Sequence, residues 1–338
     1  MITPDLPAAV KAALEAKLQG QSRQDAAARA ARISQAYRGG GTSGGIASEA
    51  DAVAYAVVRM PATYAAVAAC LNALIDMRPE FAPTSLLDVG AGPGTASFAA
   101  AEALASLASF RALDANPVLR ALALELAAGV RRLNDLDYAF GPTRTQLDHT
   151  APADLVIASY MIGELPESER EALAATLWMK TRDMLLLVEP GTPAGYQRII
   201  AARAQLIAAG AHVAAPCPHD EVCPLVAPDW CHFARRLARS RAHKQIKGVE
   251  LPYEDEKFSY VALTRQPVPQ RPAARVLVPP TISKVAVTTK LCCADGAART
   301  VTVLRRNKIA FAAARRWDWG DAVEPASLPQ IPPQRPDG

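Results

Sequence analysis

The sequence predicts an α/β protein: a parallel sheet buried between helices, with a helical region before it and a small β module after it. Three observations carry this. Through residues 84–190, short apolar runs alternate with amphipathic helical patterns, as strands covered on both faces do. The run Leu86-Leu87-Asp88-Val89-Gly90-Ala91-Gly92-Pro93-Gly94-Thr95 sets three alternate glycines between a buried strand and an apolar helix. Backbone N–H groups in such a turn approach a ligand closely, because glycine has no Cβ in the way. Finally, Val285/Val287 and Val301/Val303 alternate on either side of Ala294-Asp295-Gly296-Ala297, a hairpin with an Asp-Gly turn.

Taken in order, residues 1–80 read as a helical region. Ala-rich residues 1–38 form two helices, the second opened by the capping box Ser22-Arg23-Gln24-Asp25. Arg23, Arg29, Arg32 and Arg38 give that helix a solvated basic face. Gly39–Gly45 reads as a flexible loop. Ser48-Glu49-Ala50-Asp51 caps a further helix, expected to end near Met60 because Pro61 interrupts it. Pro61 then suits the first turn of another helix running to Met77. Cys70, among Ala and Val there, reads as a buried small apolar residue.

Strand 1 is expected at Ser85–Val89, strand 2 at Phe110–Leu113, strand 3 within 135–147, strand 4 at Leu155–Ser159 and strand 5 at Met184–Val188. Helices fill the intervals at Thr95–Leu107, at Pro117–Gly129 and from Pro166 onward, with one more at 194–209. Asp114, twenty residues after Gly94, falls at the end of strand 2, where a carboxylate can accept from two ribose hydroxyls. Segments 211–215 and 257–264 read as two further apolar strands with a long stretch between them. Residues 81–266 thus form a cofactor domain with a cysteine-rich, basic insertion at 216–250. Pro-rich 268–280 reads as a linker, 267–323 as the β module and Pro-rich 324–338 as a disordered tail.

At 338 residues and 50% apolar, the chain suffices for about two domains with real cores. A net charge of +4 is mildly basic and does not by itself mark a nucleic-acid binder. No segment reads as the roughly 18 uncharged apolar residues a membrane span needs, and the start lacks the basic region and apolar core of a signal peptide. A monomer of the bacterial cytoplasm is the expectation. In that compartment six cysteines suggest metal or redox chemistry more than disulfides.

The cysteines cluster. Cys217-Pro218-His219, Cys223-Pro224 and Trp230-Cys231-His232 share one short loop, and Cys292 and Cys293 follow beside the hairpin turn. Three loop thiolates and one from the hairpin can supply a single inorganic centre and pin the β module to the main domain. The short C-x₂₋₄-C spacing of zinc fingers is absent, and Cys-Pro steps occur in ferredoxin-type clusters. Zinc and iron–sulfur both remain open on spacing alone, with His219 and His232 as zinc ligands, outer groups or RNA-facing groups. A basic run follows at once: Arg235, Arg236, Arg239, Arg241, Lys244 and Lys247, uninterrupted by any acidic residue. With no carboxylate in the run, it reads as a phosphate-backbone surface.

The turn Asp88–Thr95 resembles the first motif of class I S-adenosylmethionine-dependent methyltransferases. Together with Arg59-Met60-Pro61-Ala62-Thr63-Tyr64, Ser159-Tyr160-Met161-Ile162-Gly163-Glu164-Leu165, Val188-Glu189-Pro190-Gly191-Thr192 and the CPH…CPL…WCHF block, the chain is similar to the methyltransferase-like assembly factors of the small ribosomal subunit. The likeness spans roughly residues 48–320. It implies a class I, Rossmann-like sheet; S-adenosylmethionine held around Asp88, Gly90, Gly92, Gly94, Asp114, Ser159 and Glu164; and a [4Fe–4S] cluster on Cys217, Cys223, Cys231 and Cys292 or Cys293. It further implies that the chain binds small-subunit ribosomal RNA during maturation, in the mitochondrion for eukaryotic relatives.

No catalytic group is identifiable. Amine-directed nucleic-acid methyltransferases carry an Asn/Asp-Pro-Pro-aromatic motif after strand 4, where this chain has Ser159-Tyr160-Met161-Ile162. Cytosine-C5 enzymes need a cysteine near there, and none is present. Glu164 and Glu189, at carboxyl ends of strands, are able to hold a cofactor, act as a base or cap a helix. The expectation is an assembly factor that binds the cofactor. The alternatives are an active rRNA methyltransferase and a small-molecule methyltransferase with a structural zinc site.

Overall fold

A computed structural model describes residues 1–328 of the chain. Three helices lead: α1 (Ala8–Leu18), α2 (Arg23–Arg38) and α3 (Glu49–Met77). Ser22 caps α2 by accepting from Asp25 N, and Ser48 caps α3 by accepting from Asp51 N. The Asp51 carboxylate is buried and draws in Arg29 (2.9 Å) and Arg32 (2.6 Å), so part of the arginine face of α2 clasps α3 and is not simply solvated.

Pro61 does not split the third helix. α3 runs unbroken through it for 29 residues. An interior proline forfeits one helical hydrogen bond and costs roughly 3 kcal/mol. The turns on both sides are packed, with Val57, Val58, Met60, Ala62 and Tyr64 all buried, and that burial overrides the break. By length and composition this helix is apolar enough to cross a membrane, but 72% of its apolar window is buried inside the protein, as in a core helix.

The main sheet is built from β1 (Ser85–Val89), α4 (Thr95–Ala103), β2 (Ser109–Asp114), α5 (Pro117–Ala128), β3 (Asp137–Phe140), α6 (Thr143–Asp148), β4 (Ala153–Ser159), α7 (Glu167–Met179), β5 (Thr181–Pro190), α8 (Pro193–Ala208), β6 (His212–Ala215), β7 (Phe233–Ala238), α9 (Arg241–Lys247) and β8 (Tyr253–Thr264). Strand order is β3-β2-β1-β4-β5-β8-β6, with β7 also on β8. The pairs from β3 to β5 are parallel, and β8 runs antiparallel to both β5 and β6. Five parallel strands closed by one reversed strand inserted before the edge is the class I methyltransferase arrangement. Each face carries its own core: Leu86, Ile157, Leu186 and Ala262 pack toward α3, α4 and α5, while Leu87, Val156, Leu187 and Val261 pack toward α7 and α8.

The second sheet follows: β9 (Ala274–Val276), β10 (Thr281–Ile282), β11 (Ala286–Cys293), β12 (Ala298–Leu304), helix α10 (Lys308–Ala314) and β13 (Ala322–Val323). The β11–β12 hairpin turns at Asp295-Gly296, where Gly296 has φ 80°. Residues 274–276 are a buried strand between β11 and β13, where a linker was expected. Prolines on both sides confine it to three residues, which hid it in the pattern. Leu328 packs against this sheet's core, while 329–338, most of the expected tail, lies outside the described residues.

Candidate functional site

The glycine turn after β1 is shaped by its backbone. Gly90, Gly92 and Gly94 have φ of 69°, 54° and 80°, values an L side chain resists. Gly90 N and Ala91 N both donate to Leu113 O, tying the turn to β2. One Asp114 oxygen accepts from Gly92 N (2.9 Å) and the other from Asn116 N (2.7 Å). Burial pushes the Asp114 carboxyl up, and these N–H bonds oppose the shift. Asn116 caps α5, and its amide donates to Ser43 O and Ile46 O. Glu164 accepts from Ser43 N at 3.0 Å. The glycine-rich loop before α3 is therefore held across the mouth of the cleft from both sides.

Gly90, Gly92, Asp114, Ser159, Tyr160 and Glu164 line that cleft, joined from the helical region by Arg59. Two expected contributors stand elsewhere. Asp88 is fully buried behind the turn, where one oxygen accepts from Ser97 N and Oγ. Its Oδ1 has no partner among the described residues, and burial pushes its pKa up to about 7. Gly94 packs against Phe98 and Ala123 and is not a lining residue. Glu189 is likewise structural. It pairs with Arg198 (2.6 Å) and accepts from Ile162 N (3.0 Å), holding the turn after β4. At that turn Tyr160 has φ 57°, uncommon for a bulky residue, and donates to Glu256 Oε1 at 2.9 Å. Arg59 reaches the same carboxylate at 3.3 Å.

The cysteines form a second locus. Cys217, Cys223 and Cys231 from the loop between β6 and β7, and Cys292 from β11, line one cavity. Tyr196, Ser259, Tyr260, Arg203 and Arg275 complete its polar wall. Cys223 Sγ lies 3.1 Å from Tyr196 Oη, and Cys292 Sγ lies 3.3 Å from His219 Nε2. Burial pushes the Cys217, Cys231 and Cys292 thiols up, and neighbouring sulfurs add to the rise. As the side chains stand, no group of three or more His, Cys, Asp or Glu among the described residues is gathered tightly enough to hold a single metal ion.

The adjacent pair separates by strand pleat. Neighbouring residues of a strand face opposite ways, so Cys292 faces the cavity while Cys293 joins the core of its own sheet with Val276 and Val303. His219 is 3% exposed, with burial and then Arg203 lowering its pKa. His232 does not line the cavity. Its ring stacks on Trp230 and meets Trp319 edge-on, both at 4.9 Å.

The basic run takes a different form from a charged arm without counterions. Its first half is β7, and β8 supplies the carboxylates. Arg236 makes a two-bond pair with Asp255 (2.8 Å each), while Arg239 and Lys247 both reach Glu254. These acids sit 7 to 19 residues further along the chain, and antiparallel register lays them opposite β7. Arg235, Arg241 and Lys244 make no ion pair among the described residues.

Sequence reasoning missed Arg203, Arg275 and Tyr196. Arg203 sits on the buried stripe of α8 with Tyr196, Ile199 and Leu206, and a cation on an apolar face was the available signal. Arg275 lay in the segment read as linker.

A family model described as "Mitochondrial small ribosomal subunit Rsm22" matches residues 49–324. The human mitochondrial ribosome assembly protein METTL17 is 29% identical over 305 residues, covering 85% of this chain and 65% of that protein. The Rsm22-cox11 tandem protein 2 of Schizosaccharomyces pombe, also mitochondrial, is 25% identical over 327 residues, with 81% and 43% covered. The chain thus spans about two thirds and under half of these relatives. Among solved structures, magnesium protoporphyrin IX methyltransferase from Synechocystis with bound S-adenosylmethionine gives a TM-score of 0.39 at 15% identity, covering 64% of this chain and 84% of that one. A precorrin-6y methyltransferase from Geobacter metallireducens gives 0.38 at 15% identity, with 57% and 85% covered.

Proposed function

The chain belongs to the Rsm22 family of small-ribosomal-subunit proteins, and from that we propose that it is an assembly factor which binds rRNA of the small ribosomal subunit, using S-adenosylmethionine and a [4Fe–4S] cluster as bound groups. One observation carries the reading: three thiols from the insertion and a fourth from a strand 61 residues further on line one cavity between the two sheets. Four thiols lining one cavity, Cys292 buried and the other three half-buried, suit ligation, since thiolates bind iron or zinc.

The absence of short C-x₂₋₄-C spacing and the Cys217-Pro218 and Cys223-Pro224 steps favour a cluster over one zinc ion. Such a cluster supplies either electron transfer or a covalent staple, and here the ligand set joins the insertion to the β module.

The donors of the cleft also fit S-adenosylmethionine. The Asp114 carboxylate spends two of its roughly four lone-pair sites on N–H donors, leaving acceptors for two ribose hydroxyls. Ser159 and Glu164 lie across the cleft from it. The cofactor carries an activated methyl group. Tyr160, which follows β4 and lines the cleft, donates its hydroxyl proton to Glu256, and that commitment favours a binding role over methyl transfer. Within the basic run, Arg235, Arg241 and Lys244 make no ion pair among the described residues and are available to meet phosphates.

Protein purified without oxygen is expected to contain about four irons per chain and absorb broadly near roughly 400 nm, with both lost in Cys223→Ser, and to co-sediment with small subunits. One zinc per chain with no iron would sink the cluster reading. An rRNA methyl mark absent in the deletion strain and restored by wild type but not by Gly92→Arg would replace the binding role with catalysis.

A further inference from the structure

Two arginines face the cysteine cavity in a state that a metal-free protein should not tolerate. Arg203 is 3% exposed and Arg275 is 5% exposed. Neither has a carboxylate within ion-pair distance among the described residues. Arg203 donates to His219 O (2.8 Å), while its Nε has no partner. Arg275 donates to Pro216 O (2.8 Å) and Gly320 O (2.9 Å). Asp321 is the acid that senses Arg275, and it is exposed and beyond pairing distance. A guanidinium does not shed its proton in a protein, and burying an unpaired ion costs several kcal/mol. Two such ions in one wall need negative charge beside them.

The cavity holds one source of it. Cys217, Cys223, Cys231 and Cys292 are the other ionisable lining groups besides Tyr196 and Tyr260. Arg275 is the direct cross-strand partner of Cys292, which puts both side chains on one face of that sheet. Arg203 and Arg275 also grip the carbonyls of residues 216 and 219, on either side of Cys217.

We propose that Arg203 and Arg275 are the counter-cations of the metal centre, matching the net charge of about minus two that four thiolates leave on a dicationic core, and that they raise its reduction potential. This rests on the cavity being a metal centre. Four thiolates contribute minus four and the core plus two, so two guanidiniums bring the site to neutrality. Adding one electron to a cluster makes the site more negative, and adjacent fixed cations favour that form.

The test uses full-length, anaerobically purified protein with Arg203→Met, Arg275→Met, and Arg→Lys at each position. Metal content, rate of release to a chelator, and midpoint potential by electron paramagnetic resonance titration are read. The Met variants are expected to release metal at least tenfold faster and to titrate at more negative potential. They should also lose more stability in the loaded form than in the stripped form. The Lys variants, which keep the charge, should retain the wild-type potential even though the carbonyl contacts change. Met variants with wild-type release and potential overturn the inference. Should the Met variants fail to fold, Lys variants whose potential moves overturn it equally. Wild-type protein without metal would instead defeat the reading of the cavity itself.

Discussion

Asp88 makes the cost of the glycine turn measurable. Its carboxyl is fully buried, accepts from Ser97 alone, and has its pKa pushed up to about 7 by burial. In the unfolded chain it titrates near 3.9. Below about pH 4 both states hold the proton, and above about 7 neither does. Between those limits the folded state keeps a proton the unfolded state has lost. Stability therefore falls as pH rises, by about 1.36 kcal/mol per unit. From pH 5 to pH 7.5 the loss is roughly 2–3 kcal/mol. Asp88→Asn carries no such proton. Urea midpoints of wild type and Asp88→Asn should diverge across this range, the variant gaining that 2–3 kcal/mol relative to wild type. His243, held down at about pKa 4 by burial, acts in the opposite sense on acidification, but equally in both proteins, so the difference isolates Asp88. Parallel stability curves from pH 5 to 7.5 would refute the reasoning.

A Cβ on Gly90 would stand 2.6 Å from Met161 Cβ at φ 69°, so Gly90→Ala should cost roughly 2–5 kcal/mol and abolish S-adenosylmethionine binding, read by thermal unfolding and calorimetry. Cys292→Ser should lose the metal, whereas Cys293→Ser should keep it and lose about 1–3 kcal/mol of stability from a hydroxyl in an apolar core; equal metal content in the two would contradict the pleat assignment. Arg235→Ala, Arg241→Ala and Lys244→Ala should each lower the salt slope of RNA binding by about 1, while Arg236→Ala, already neutralised by Asp255, should change it little; filter binding across a salt series tells them apart.

The legible parts of this protein were those written locally. Strand-and-helix alternation, the glycine turn and Asp114 at its fixed distance each follow from backbone constraints acting within some twenty residues. That Cys217, Cys223, Cys231 and Cys292 line one cavity follows a pattern visible in the sequence, because clustered cysteines are rare enough to count. What stayed hidden was set by register. The basic run has no acid in it, yet antiparallel pairing lays Glu254 and Asp255 beside it. Pro61 looked like a helix end because local cost favours one, and burial on both sides reversed that outcome. Arg275 lay in a three-residue strand too short to show a period, and its place opposite Cys292 is set by cross-strand register.

The reversed strand β8 links the candidate sites physically. Glu254 and Asp255 hold the basic residues of β7 and α9. Glu256 accepts from Tyr160 and pairs with Arg59 at the cofactor cleft. Ser259 donates to Cys231 O at 2.8 Å, and Tyr260 and Val261 form part of the cavity wall. Further along, Thr264 donates to Asp183 and accepts from Arg78 deep in the sheet, so this end is anchored. A rigid strand fixed at one end and touching cleft, cysteine loop and cationic surface in turn needs no mobile arm to relate them. Ordering the loop around Cys231 positions β7, and with it Arg235, through the backbone pairing with β8 that both share. On the proposed function, this geometry predicts that stripping the metal weakens RNA binding while Arg235, Arg241 and Lys244 stay unchanged, which filter binding of loaded and stripped protein checks.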